Sequence, residues 1–112
     1  MLNKDLVAAS STPLILSILA GGESYGYEII QRISALSDEE INWSDGMLYP
    51  VLHRLEEQGL VISEWRKMDS GHRRKYYKLN KKGEGVLQQE KHQWEIVNNA
   101  LRKLWKVSYV QP

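Results

Sequence analysis

WSDGMLYPVLHRLEEQGL, residues Trp43 to Leu60, is the stretch on which the reading of this chain turns. At 3.6 residues per turn, Leu48, Val51, Leu52, Leu55 and Gly59 share one side of a helix, a core stripe. Gly46, Tyr49, Pro50, His53, Arg54 and Glu57 fall on the other side or its flanks. That second face begins with small, aromatic, imidazole and guanidinium groups, and the acids Glu56 and Glu57 come only at its end. A helix whose first half offers flat and hydrogen-bonding groups suits a DNA major groove. Ser44 is placed to cap it, Asp45 complements the positive end of its dipole, and Gly59 stops it. Pro50 removes one backbone bond and should bend the first turn. On this stretch alone an ordinary amphipathic core helix with a proline kink remains open.

Composition narrows the class. A chain of 112 residues supports one modest core. It has no cysteine, which removes disulfide, zinc-thiolate and thiol chemistry and fits a reducing cytoplasm. No apolar run approaches the roughly 20 residues of a membrane span, no signal peptide is visible, and no membrane partner is expected. The formal charge of +1 is uneven: residues 66–82 hold eight lysines and arginines against one acid, Asp69, and the remainder is acidic. Such a concentrated segment is the footprint of phosphate binding.

Upstream, residues 1–22 contain an apolar helix with Leu14, Ile15, Ile18 and Leu19 inward. It starts either near Lys4 or at Ser11-Thr12-Pro13, where Pro13 takes the first helical position. Ala8, Ala9, Ser10 and Ser11 would let another helix approach closely. Ser24 is expected to cap a second helix reaching Leu36, with Ile29, Ile30, Ile33 and Leu36 inward. Tyr25 and Tyr27 flank Gly26 at its N-terminus, where a phosphate fits as well as a core edge does. Ile41-Asn42-Trp43 is read as a short edge strand.

After Gly59 the apolar period changes to two. Residues 60–65 form a strand, RRKYYKL (Arg73 to Leu79) its return, and residues 67–72 the turn, with Ser70-Gly71 at the bend. Alternation sends Tyr77 and Leu79 to the core and the cations near the tip outward. The fold class is therefore mainly α with a small β-hairpin. A winged helix-turn-helix spans residues 1–80, and residues 81–112 form a C-terminal dimerisation helix. In a winged helix-turn-helix the central helix reads base edges and the wing holds phosphate. The candidate DNA-binding residues are Tyr25, Ser44, Gly46, Met47, Tyr49, Pro50, His53 and Arg54, with Gly71, His72, Arg73, Arg74 and Lys75 from the wing.

Asn80 should cap the last helix, which runs to about Lys106. Leu87, Trp94 and Leu101 recur every seven residues, and Glu90, Val97 and Leu104 follow each by three. A helix of this length outruns a small core. Leu87, Trp94, Val97, Leu101, Leu104 and Trp105 are thus expected to form a homodimer, the alternative being packing back on its own domain.

Three motifs together resemble the PadR family of bacterial transcriptional regulators, in its short form with one C-terminal helix. They are Tyr25-Gly26-Tyr27-Glu28-Ile29, Leu48 to Glu56 with Gly59-Leu60, and Gly71 with Arg73 to Leu79. The resemblance implies a homodimeric winged-helix repressor of near-palindromic double-stranded DNA operators. It also implies that a planar aromatic effector can bind at the dimer interface, where Trp94 matches the family's pore tryptophan. Val97 beside it, with Leu6 and Ala9 of the partner's first helix, would complete the walls. The chain departs from the family at Gly46-Met47, where Gly-Thr is frequent, and at His72 in the wing.

Enzymatic readings fail on inventory. His53, His72 and His92 lie on three different elements, none with a second histidine at ligand spacing. Ser44 and His53 are out of phase and lack an orienting acid. No catalytic residue, metal or cofactor is expected. The competing class is a winged-helix protein-interaction module that sets its wing on an acidic partner.

Overall fold

Asn3 starts the first helix by accepting the Asp5 and Leu6 N–H groups on its side-chain oxygen, at 2.8 and 3.3 Å. In this computed structural model, which describes residues 2–109 and side chains as far as Trp105, helix α1 spans Lys4–Ala20. Of the two possible starts, the chain takes the earlier and runs through Pro13. Ile15, Leu16, Ile18 and Leu19 are all buried, and that apolar contact outweighs the donor lost at the proline. Leu14, expected inward, is only partly buried, and Leu16 takes its place.

The next residues overturn the expected cap at Ser24. Ser24–Tyr25 is a two-residue strand, β1, before helix α2, Gly26–Leu36. The buried Ser24 hydroxyl donates to Glu28 instead of accepting a helix N–H, because its own backbone pairs with a strand more than fifty residues later. At the far end of α2, Leu36 is 69% exposed, contrary to expectation, whereas Ile29 and Ile33 are fully buried. The stretch Ile41 to Trp43 is not a strand. It is a connection without regular structure that carries the Trp43 side chain into the core.

Helix α3, Asp45–Glu57, follows, with Leu48, Leu52 and Leu55 completely buried. Its C-terminus closes as a Schellman motif. The Leu60 N–H donates to the Leu55 carbonyl at 2.9 Å, the Gly59 N–H to the Glu56 carbonyl at 3.0 Å, and Gly59 adopts φ +75°. The hairpin then forms from β2, Val61–Lys67, and β3, Arg73–Leu79. Strand order is β1-β3-β2, all antiparallel, with Val61 opposite Leu79 and Lys67 opposite Arg73. Tyr77 and Leu79 face the core as alternation requires, and the 67–72 turn is pinned by Met68 N–H to the His72 carbonyl at 2.7 Å.

Asn80 joins the wing to the last helix, α4, Lys81–Tyr109: it donates to the Gly59 carbonyl and accepts the Gly83 N–H at 2.8 Å. Gly83 packs against the residue before β2 so closely that a Cβ there would stand 2.1 Å from the Leu60 carbonyl oxygen. Leu87 completes the core, and beyond it α4 leaves the domain, giving a molecule 64 Å long. Residues 110–112 of the expected dimerisation segment lie outside the described residues.

Candidate nucleic-acid interface

Ser44 takes the N-cap position of α3 as expected, but through its backbone carbonyl and not its hydroxyl. Met47 and Leu48 N–H groups donate to the Ser44 carbonyl at 3.1 and 3.0 Å, and the Ser44 side chain makes no cap bond. Ser44, Asp45, Gly46 and Met47 are all exposed there. The helix continues through Pro50, whose missing N–H falls opposite the Gly46 carbonyl on this open side.

Tyr49, His53 and Arg54 leave α3 in different circumstances. The Tyr49 ring lies across the N-terminus of α2, where a Cβ on Gly26 would be 2.4 Å from the phenol oxygen. Gly26 is therefore what lets the tyrosine tuck toward the wing. His53 is well exposed and its Nε2 stands 2.9 Å from Glu57 Oε1, one helical turn on. Arg54 turns the other way and donates to the Thr12 hydroxyl of α1 at 2.9 Å. It shares the helix with Tyr49 and His53 but not their direction.

The wing sorts its cations. Arg66 forms a bidentate pair with Glu23 at 2.6 and 2.7 Å, reaches Glu64 at 3.3 Å, and lies 4.4 Å above the Tyr76 ring. The hydrogen bonds to Glu23 and Glu64 raise the Arg66 pKa, and that same guanidinium holds the Glu23 carboxyl below its ordinary value. Arg73 and Arg74 meet rings instead. Arg74 is 3.9 Å from the Tyr25 centroid and Arg73 is 5.2 Å from that of Trp65. Arg74 also donates to the Tyr76 hydroxyl at 3.4 Å, which raises its pKa, and Tyr25 meets Tyr76 edge to face at 5.4 Å. Lys75 lies between Trp65 and Tyr77, at 5.8 and 5.5 Å, with only a long 3.9 Å approach to Glu56. Cations over ring faces are oriented yet keep their charge and outward N–H groups. Burial pushes the Tyr77 phenol up to about 12, so this floor of the site stays neutral.

One groove of about 500 Å³ opens between the start of α2, α3 and the wing, and His53 and Arg66 are not among its lining residues. It brings together Tyr25, Tyr49, Arg73, Arg74 and Lys75 from the expected set. Gly71 and His72 stay out at the exposed tip, where Gly71 turns with φ +90°. Met47 and Arg54 lie on the α1 side of α3, away from the groove. Tyr27, noted beside Gly26 as a place for a phosphate, also lines the groove, and so does Trp65, which sequence reasoning missed. Trp65 was legible only through register: it sits opposite Lys75 and alternates onto the Tyr77 face.

The expected dimer seam divides. Leu87 is 2% exposed within its own chain, so it belongs to the core and has no surface to offer a second copy. Trp94 and Leu101 are partly buried, and Val97, Leu104 and Trp105 are exposed. Trp94, Val97 and Leu101 line a shallow groove of about 300 Å³ on α4 itself. Leu6 and Ala9 are exposed on α1. Among the described residues no cluster of three histidines or carboxylates is arranged to hold a metal, and no helix is long and apolar enough to cross a membrane.

Comparison with known proteins follows the same outline. The sequence profile described as the transcriptional regulator PadR-like family matches residues 15–89. A solved transcriptional regulator from Clostridium thermocellum superimposes with TM-score 0.80 at 31% identity, over 89% of this chain and 97% of that one. A PadR family transcriptional regulator from Eggerthella lenta gives TM-score 0.74 at 35% identity, over 90% and 86%. The transcriptional regulator Rv3488 of Mycobacterium tuberculosis is 37% identical over 81 residues, 72% of each chain.

Proposed function

The chain belongs to the PadR-like family of transcriptional regulators, and from that premise we propose that it is a dimeric, sequence-specific repressor of near-palindromic DNA. In this reading residues 1–80 bind DNA and the helix from residue 81 onward pairs two copies. Helix α3 enters the major groove with Tyr49 and His53 toward base edges, while Arg73, Arg74 and Lys75 hold phosphates. The observation that carries it is the sorting of charge in the wing. Arg66 is paired closely with Glu23 and Glu64, whereas Arg73 and Arg74 rest on aromatic faces and Lys75, between two rings, has only a long 3.9 Å approach to Glu56, so these three keep charge for a polyanion. Two-fold pairing through α4 would set the two α3 helices about 34 Å apart, one turn of duplex.

Trp94 adds a second part to the proposal. It borders a groove on the exposed flank of α4, and two-fold pairing there would leave room between two indoles for a flat aromatic effector. A guest that changed the angle between subunits would change operator affinity through the shared dimer geometry.

The test is selection of duplexes from a random pool, followed by titration of the winning site over a range of salt. A palindromic winner whose affinity falls steeply with salt supports the reading. Failure to retain any duplex at low salt would favour the protein-interaction module.

A further inference from the structure

A second cleft faces away from the proposed DNA groove. About 560 Å³ opens between the N-terminal half of α1, the connection after α2, and the α1-facing side of α3. That volume lies within the range of small-molecule sites. Its walls are mostly aliphatic: Leu2, Val7, Ala8, Ile41, Met47 and Val51. Among the described residues only Trp43 adds a ring, so the cleft lacks the paired flat surfaces that would select a planar guest. A flexible hydrocarbon fits such walls better.

A further observation gives the guest a head group. Lys4 and Arg54 line the cleft with a single acid, Glu40, and neither cation lies within ion-pair distance of a carboxylate among the described residues. Arg54 donates only to the neutral Thr12 hydroxyl. Trp43 is 6% exposed, and its indole N–H is buried in this wall with no acceptor among the described residues. A buried donor without an acceptor is costly and rare.

We propose that this cleft binds an aliphatic monocarboxylate of medium chain length, its chain along α1 and against the Trp43 side chain and its carboxylate held by Arg54 and Lys4. The site is separate from the Trp94 groove, and the proposal does not rest on the DNA reading. Its guest lies against Met47 and Val51, on the α1-facing side of α3.

The test uses the full chain, titrated with decanoate, decanol and benzoate and followed by calorimetry and by the Trp43 indole N–H resonance. Decanoate should bind saturably and move that resonance, with decanol and benzoate weaker. Ala8→Phe places a ring in the cleft from an exposed position and should lower decanoate affinity at least about tenfold without loss of helicity. Lys4→Gln should lower it by about two- to fivefold. An unmoved Trp43 resonance, equal binding by Ala8→Phe, or preference for benzoate would overturn the proposal. So would a dimeric parent made monomeric by Ala8→Phe, which would identify the occupant as a second copy of this chain.

Discussion

Helices α3 and α4 each carry an apolar stripe on a mostly polar helix, and the chain treats the two stripes differently. Leu48, Leu52 and Leu55 of α3 are covered completely by α1, α2 and the sheet. On α4 that treatment ends at Leu87, and Val97, ten residues further on, is 54% exposed. A stripe covered within the chain contributes to folding of one copy. A stripe left outside contributes only when something else covers it, at about 1.5–3 kcal/mol for each fully buried side chain. One helix therefore presents a polar face outward, and the other an apolar one.

The strongest challenge to that contrast is truncation inside the covered part. Leu52→Ala and Leu87→Ala should each cost about 2–5 kcal/mol of unfolding free energy by denaturant titration. If Leu87→Ala left stability intact but changed the oligomeric state, Leu87 would belong to the seam after all. Val97→Glu asks the opposite question. It should leave helicity unchanged and shift the protein toward monomer in sedimentation, with loss of cooperative binding to a two-half-site duplex. A fully dimeric Val97→Glu would remove this face of α4 from the proposed interface.

The next two effects lie on the polar face of α3 and in the wing. Tyr49→Phe or His53→Ala should cost about 1–3 kcal/mol at one base position of the selected site and little elsewhere. An unchanged preferred sequence in both variants would make the face positional only. Arg73→Ala, Arg74→Ala and Lys75→Ala should each weaken all duplexes alike and reduce the log-affinity against log-salt slope by about 1. Arg66→Ala is the internal control: its partners are carboxylates, so its slope should stay near the parent's.

The smallest effect concerns the pair that holds the wing to the chain before β1. Arg66 lowers the Glu23 pKa in the folded state, so the ionised carboxylate favours folding above the ordinary carboxylate pKa. That contribution should fade as pH falls through the lowered folded value. Both groups are solvent-accessible, so the expected change is slight. Thermal melts of the parent and Glu23→Gln between neutral and acidic pH should converge as the carboxylate protonates. A constant gap would assign the pair no linkage to folding.

How much of this was legible from the chain depends on the range of the interaction concerned. Helix α3, its closure at Gly59, the return strand Arg73–Leu79 and the Asn80 cap follow from period and from neighbours a few residues apart. So did the basic wing, because its cations are consecutive in the chain. Several of the departures involve distant partners. Ser24 resembles a cap until the free edge of β3 recruits it as a strand. Pro13 leaves two helix starts open, and the packing of α1 takes the earlier one and carries the helix through it. Leu87 and Val97 both belong to the apolar seam of α4, and only the reach of the domain's core decides which one is covered.

Local geometry thus determined which elements form and where most of them end, because helix and strand periods, caps and turns act over a few residues. Tertiary structure decided which equivalent groups remain available. Arg66 and Arg74 are both strand arginines in one basic run, yet Glu23 reaches only the first, while Tyr25 lies beneath the second. Charge and exposure depend on contacts made after the chain has doubled back, and those contacts are absent from any short window of residues.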